Sequence, residues 1–283
     1  MTVQKVVPCI PGFIMHSKLE RYYTQRIKKI IQHLQVFEKS VSEEGLHEFR
    51  VELKKLSALL RFLRSEYGKA AIKKTKTAID LIFQEAGSLR EQQLLLAWLG
   101  KNKLRRLQKS CAAQHPVPEI SKALQKVLHA IRKKLAARLV KCRPLVEKTP
   151  QSVTDLYTAK LKHHIEESLR KIPAETEWHM LRKCIKQWLY AVNWTTTNKS
   201  TSLSHLYIHS NQLQEAIGNW HDAINMHIML LSMKFHLPKD TNIQKEHASA
   251  LRKILVTIQR SAREVEKLLL HSGLTGKSIS SLK

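Results

Sequence analysis

His47, Arg50 and Lys54 stand three and four residues apart in the stretch Leu46–Arg64, LHEFRVELKKLSALLRFLR, and Arg61 and Arg64 continue the series. Wound at about 100° per residue, these side chains fall inside an arc of roughly 100°, beside an apolar arc of Phe49, Leu53, Leu56, Leu60 and Leu63. Arg offers a planar fork and Lys a mobile point charge, and both suit oxyanions. The acids of the stretch, Glu48 and Glu52, lie on another side, so the basic face is not neutralised along its own helix. For one such helix alone, an ordinary solvated basic face explains the pattern equally well.

A second copy changes the balance. Trp178–Trp194 reads WHMLRKCIKQWLYAVNW, and His179, Arg182 and Lys186 repeat the spacing of His47, Arg50 and Lys54, each displaced by 132 residues. Downstream, Gly87 in QEAGSLRE is matched by Gly218 in QEAIGNWHD, and Glu91 by Asp222. A repeat that keeps basic as well as apolar spacing is not explained by packing alone.

The two histidines admit a metal-ligand or acid–base role, a role as hydrogen-bond donors to phosphate oxygens, or a purely structural role bonding between helices. Arg three residues on and Lys seven on would repel a divalent cation and welcome an oxyanion, and no acid lies on that arc. The donor role is therefore the expected one.

The pattern His-x-x-Arg-x-x-x-Lys followed by a glycine with an acid four residues on, occurring twice, resembles the conserved histidine α-helical domain (CHAD) family over about Met15 to Ser272. The resemblance implies an all-α fold of two four-helix bundles related by internal pseudo-symmetry, with a basic groove or pore between them that binds inorganic polyphosphate. On this basis the polyphosphate-binding residues are His47, Arg50, Lys54, Lys55, Arg61, His179, Arg182, Lys183, Lys186 and Tyr190. The family pattern is not complete. Ser57 and Leu189 stand where a further basic residue is usual, and Asn193 stands opposite Arg61. The Arg-Asp pair after the glycine reads Arg90-Glu91 and then His221-Asp222.

Composition agrees with a polyanionic partner. Against 49 Lys and Arg there are 23 Asp and Glu, a net charge of +26. Such an excess repels itself in a compact state and is offset most simply by a bound polyanion, whether polyphosphate, nucleic acid or an anionic membrane. A hydrophobic fraction of 43 % with 8 Gly and 8 Pro argues against disorder and against a loop-rich all-β fold. Cys9, Cys111, Cys142 and Cys184 form no Cys-x-x-Cys pair and read as reduced core thiols. No secretion signal and no apolar run near the ~20 residues of a membrane span are seen. The expected setting is cytoplasmic, in association with polyphosphate granules.

Periodicity and breakers divide the chain into an irregular tail at 1–14, a first bundle at 15–146, a second at 147–273 and a tail at 274–283. Helices are predicted at Met15–Lys39, from a short turn or N-cap region at Ser42–Gly45 to about Glu66, at Lys69–Glu85, and at Leu89–Cys111 after a stop at Gly87 and Ser88. Further helices are predicted at Glu119–Cys142, Thr154–Lys171, Trp178–Trp194, Leu203–Leu237 with a turn near Gly218, and Thr241–His271. Pro144 and Pro150 mark the break between halves, and Lys69, Lys73 and Lys76 share a face that could extend the basic rail.

Two motifs are set aside. Gly276-Lys277-Ser278 mimics the end of a P-loop, but His271 stands where its first glycine belongs. His205 and His209 at i, i+4 lack a carboxylate third ligand, so no metal is expected there. Cations without an acidic metal site point to binding without turnover, with no cofactor. Proteins that metabolise polyphosphate are the expected protein partners. Nucleic-acid binding, which needs base-stacking aromatics on the basic faces, and an inert helical scaffold are the alternatives.

Overall fold

The structure, a computed structural model, describes residues 17–39, 43–114, 137–195, 201–233 and 237–271, and every regular element among them is helical. The elements are α1 (Lys18–Lys39), α2 (Glu43–Tyr67), α3 (Ala70–Lys101), α4 (Arg105–Gln114), α5 (137–147), α6 (Gln151–Arg170), α7 (Glu175–Ala191), a 3-10 turn (Val192–Trp194), α8 (Thr201–Met233) and α9 (Thr241–Leu270). The expected all-α class is the one found. The expectations for the two tails, for Ser42 as an N-cap and for most of Glu119–Cys142 lie outside the described residues.

The apolar arc of α2 buries as its spacing requires: Phe49 is 1 % exposed and Leu53, Leu56, Leu60 and Leu63 are 0 % exposed. At roughly 1.5–3 kcal/mol for each large apolar side chain fully removed from water, this stripe fixes which side of α2 faces outward. Its outward side is then the basic one.

Three boundaries differ from expectation. Gly87 does not stop a helix, and Gly218 does not turn one; each lies buried inside a continuous helix, α3 or α8. The break placed at Gly87 falls instead at Asn102–Leu104. There the N–H of Leu104 bonds the carbonyl of Leu99 and Lys103 takes φ 60°, a Schellman turn closed by contact between two buried leucines. Pro144 sits inside α5 and does not end it, at the cost of the backbone bond to the Val140 carbonyl; Pro150 is the N-cap of α6. Between α6 and α7, Ile172 at φ 48° precedes Pro173 and reverses the chain.

Buried side chains gather in three clusters. The first holds α1, α2, the first part of α3, α5 and the 3-10 turn, with Trp194 beside Tyr22 and Phe62. The second holds α6, α7, α8 and the end of α9, with Trp178 edge-on to Trp220. The third joins Leu95 and Leu99 of α3 and Leu107 and Cys111 of α4 to Leu230 and Met233 of α8 and Ala250 and Ile254 of α9. It therefore draws from both sides of residue 146.

Candidate functional site

α7 is started by the Pro173 reset, with the Glu177 carboxylate accepting from the Ala174 N–H at 2.9 Å and Glu175 and Glu177 both in the first turn, complementing the positive end of the helix dipole. Burial of Trp178, Leu181, Ile185 and Trp188 then turns His179, Arg182 and Lys186 away from the core. α7 packs on α2 through Gln187, 4 % exposed, whose Nε2 donates to the Ala58 carbonyl at 2.8 Å and to the Tyr157 hydroxyl at 3.0 Å. Arg61 donates from Nη1 to the Gln187 Oε1 at 3.2 Å. This joint brings the two basic faces together.

Arg50 and Arg182 are fixed alike. Arg50 Nη1 donates to the carbonyl of Phe83 at 3.0 Å, and Arg182 Nε to the carbonyl of Gln214 at 2.9 Å. Each acceptor lies four residues before the glycine, Gly87 or Gly218. Arg50 also lies 4.2 Å over the Phe83 ring, which Lys54 Nζ approaches at 5.2 Å.

Lys54 and Lys186 stand in this field. Burial, then Lys186, Arg50 and Arg182, push Lys54 down to about 7, with Asp222 opposing. Burial and then Arg182 push Lys186 down to about 8, against Asp222 and Glu215. Arg50 and Arg182 are lowered chiefly by burial; Glu91 and Asp222 oppose that for Arg50, and Asp222 for Arg182. The acids that oppose these shifts at Arg50, Lys54, Arg182 and Lys186 thus come from α3 and α8.

The histidines are lowered as well, His47 by burial and then Arg90, His179 by burial, Lys183, His221 and Arg182. The His179 ring stacks on His221 with centroids 4.6 Å apart and planes 21° apart, and its Nδ1 is buried without a partner. Arg90 and His221, both displaced by 131 residues in the repeat, hold equivalent places beside the two histidines.

The structure thus gathers His47, Arg50, Lys54, Arg182 and Lys186 at the meeting of α2 and α7, with His179 and the exposed Lys183 beside Arg182. The Tyr190 hydroxyl is raised to about 12, chiefly by burial, with Arg182 lowering it and Glu52 raising it. Lys55 bonds Glu52 at 2.8 Å, and Arg26 of α1 pairs with the same buried carboxylate at 2.6 Å. Asn193, opposite Arg61 in the repeat, donates to the Leu189 carbonyl at 2.8 Å. Lys76 is paired with Asp80, and Lys69 and Lys73 are exposed. Phe83, Gln187 and His221 join the site with no signal of it in the sequence, because nothing in a single helix shows which residues its neighbour lays against it. Among the described residues no three His, Cys, Asp or Glu side chains gather to hold a metal, and no helix is long and apolar enough to cross a membrane.

An all-helical chain with duplicated His-x-x-Arg-x-x-x-Lys helices packed against each other defines a class, and a model of the CHAD domain matches residues 22–231: the chain belongs to the CHAD domain family. The crystal structure of the CHAD domain from the plant Ricinus communis is similar to it, with a TM-score of 0.67 and 16 % identity over 90 % of this chain and 91 % of that one. PptA from Streptomyces chartreusis is similar at a TM-score of 0.59 and 11 % identity, over 89 % of this chain and 98 % of the other. Among curated proteins none matches.

Proposed function

We propose that this chain binds inorganic polyphosphate, without turning it over, along the face where α2 and α7 meet. The observation that carries the reading is that Arg50, Lys54, Arg182 and Lys186, from two helices, stand together half-buried, each lysine's proton weakened first by burial and then by the cations around it. Like charges held together in partial burial raise the free energy of the empty site, and a chain of phosphates is the ligand that relieves it. Membership of the CHAD family supports this ligand class. In the cell the polymer would be held at granules in the cytoplasm, beside the proteins that make or cut it.

Nucleic acid is the second reading, and the aromatic rings at the site argue against it. Phe83 carries the Arg50 guanidinium, and Tyr190 is packed against the first core, so neither offers a platform for stacking bases.

The test is binding of polyphosphate against single-stranded RNA and duplex DNA at near-physiological salt. In the Arg50→Ala, Lys54→Ala variant, polyphosphate affinity is expected to fall and the slope of log affinity on log salt to flatten by about 0.7–0.9 per lost contact. Replacing Lys101, Arg105 and Lys109 should do less. Equal losses from both sets would mean diffuse attraction and no defined site, and preference for RNA or DNA would replace this reading with the second.

A further inference from the structure

We infer that Gly87 and Gly218 are positioning residues of the anion site: each leaves, in the side of a continuous helix, the space in which the guanidinium of Arg50 or Arg182 is seated. The inference rests on the binding role proposed above for those two arginines. Neither glycine serves its own backbone, since the positive-φ glycine among the described residues is Gly68. Glycine inside a helix is otherwise disfavoured because it orders the most flexible backbone and contributes no side chain.

The space it leaves is filled. A Cβ on Gly218 would stand 2.7 Å from Arg182 Nη2, 3.1 Å from Nε and 3.2 Å from Cζ; on Gly87 it would stand 3.0 Å from Arg50 Nη1. In each case the nearest atoms belong to the arginine, and the arginine would be the group to move. The same guanidinium donates to the carbonyl four residues before the glycine, so closing the gap also breaks that bond. Held flat on the helix by one N–H, each arginine keeps its remaining donors for a phosphate, in an orientation set before the ligand arrives. The residue equivalent to Phe83 is Gln214, so the first arginine has an aromatic ring beneath it and the second has the tighter glycine contact. Gly100 is an internal control. There Gln108 Nε2, 2.9 Å from a Cβ placed on that glycine, donates to the Leu96 carbonyl at 2.9 Å, which is the same seating at a different place.

The experiment makes Gly218→Ala, Gly87→Ala and Gly100→Ala in the full chain, and Gly218→Ala again in an Arg182→Ala background. Three quantities are read: thermal midpoint, rate of phenylglyoxal modification of Arg50 and Arg182 by mass spectrometry, and affinity for inorganic polyphosphate. Gly218→Ala is expected to speed modification of Arg182 in the ligand-free protein and to weaken polyphosphate by about tenfold, the scale of one charge-assisted hydrogen bond. Gly87→Ala should do the same to Arg50, more mildly, and Gly100→Ala should change neither. In the Arg182→Ala background Gly218→Ala should leave affinity unchanged and raise the midpoint, because alanine is the better helix former once nothing occupies the space. A Gly218→Ala protein that unfolds alone but folds in that background equally supports the seat. Equal losses of affinity in both backgrounds, or unchanged modification rates in folded Gly218→Ala and Gly87→Ala, overturn it. If the unmodified protein does not bind polyphosphate, the proposed function fails, while the modification rates still decide the seat.

Discussion

Lys54 and Lys186 hold their protons far more weakly than a lysine in water, about 7 and about 8 against 10.5, because burial and neighbouring cations disfavour the charged form. Lys54 on α2 faces Lys186 and Arg182 on α7, Arg50 on its own helix and the opposing Asp222 on α8; Lys186 faces Arg182 on its own helix and the opposing Asp222 and Glu215 on α8. A polyanion raises both values, so binding takes up protons, and affinity should fall as pH rises from about 7 to 9. Titration calorimetry in buffers of different ionisation heat should show proton uptake, and uptake of none near pH 8 would contradict the site. The empty protein carries the opposite trend. Its folded-state lysines titrate below the unfolded ones, so through these two groups the unfolded chain holds more protons above about 7 and stability rises with pH; the Cys111, Cys142 and Cys184 thiols, raised by burial, work the other way as pH approaches the ordinary thiol range. A thermal midpoint that falls from pH 7 to pH 8 without ligand would contradict this. At this scale the sequence shows the repeated basic residues themselves, since i, i+3 and i+7 spacing is a property of one helix. It does not show the weakened protons, which need the second helix.

Within the elements, the two glycines show where local reading stops. Mid-helix glycine is costly on its own, so Gly87 and Gly218 read as punctuation; the arginine that fills each gap comes from another helix and is invisible to local propensity. Pro144 likewise reads as a break and yet lies within α5. Element existence and apolar face, by contrast, follow from strong periodicity, as α2 and α9 show. Ile172, a β-branched residue at φ 48°, is a strained joint between α6 and α7, so Ile172→Gly is expected to stabilise by about 1 kcal/mol, a rise of some 2–4 °C in thermal midpoint. At the α1–α2 contact, Glu52→Ala would strand Arg26 in the core and cost about 3–5 kcal/mol, measurable by denaturant unfolding. No loss there would mean Arg26 reaches water once its partner is gone.

The whole molecule is held together in ways that halving the sequence does not suggest. Trp194, in the 3-10 turn that follows α7, completes the first core, and the third core takes α3 and α4 from one half and α8 and α9 from the other. A fragment ending at residue 146 should therefore fail to unfold cooperatively and should bind a hydrophobic dye, because Leu95, Leu99 and Leu107 have lost their cover. Cooperative unfolding of that fragment would show that the first part is self-sufficient. A duplication is legible from matched spacing, but which faces the two copies share is not, since each apolar stripe is equally consistent with closing on its own copy.

That third core also sets an order of events during synthesis. Helices α3 and α4 leave the ribosome long before α8 and α9 exist, and the leucines meant for the later pair stay sticky in the interval. A nascent chain that is already strongly basic and carries an uncovered leucine seam exposes both apolar surface and positive charge until its last helix arrives.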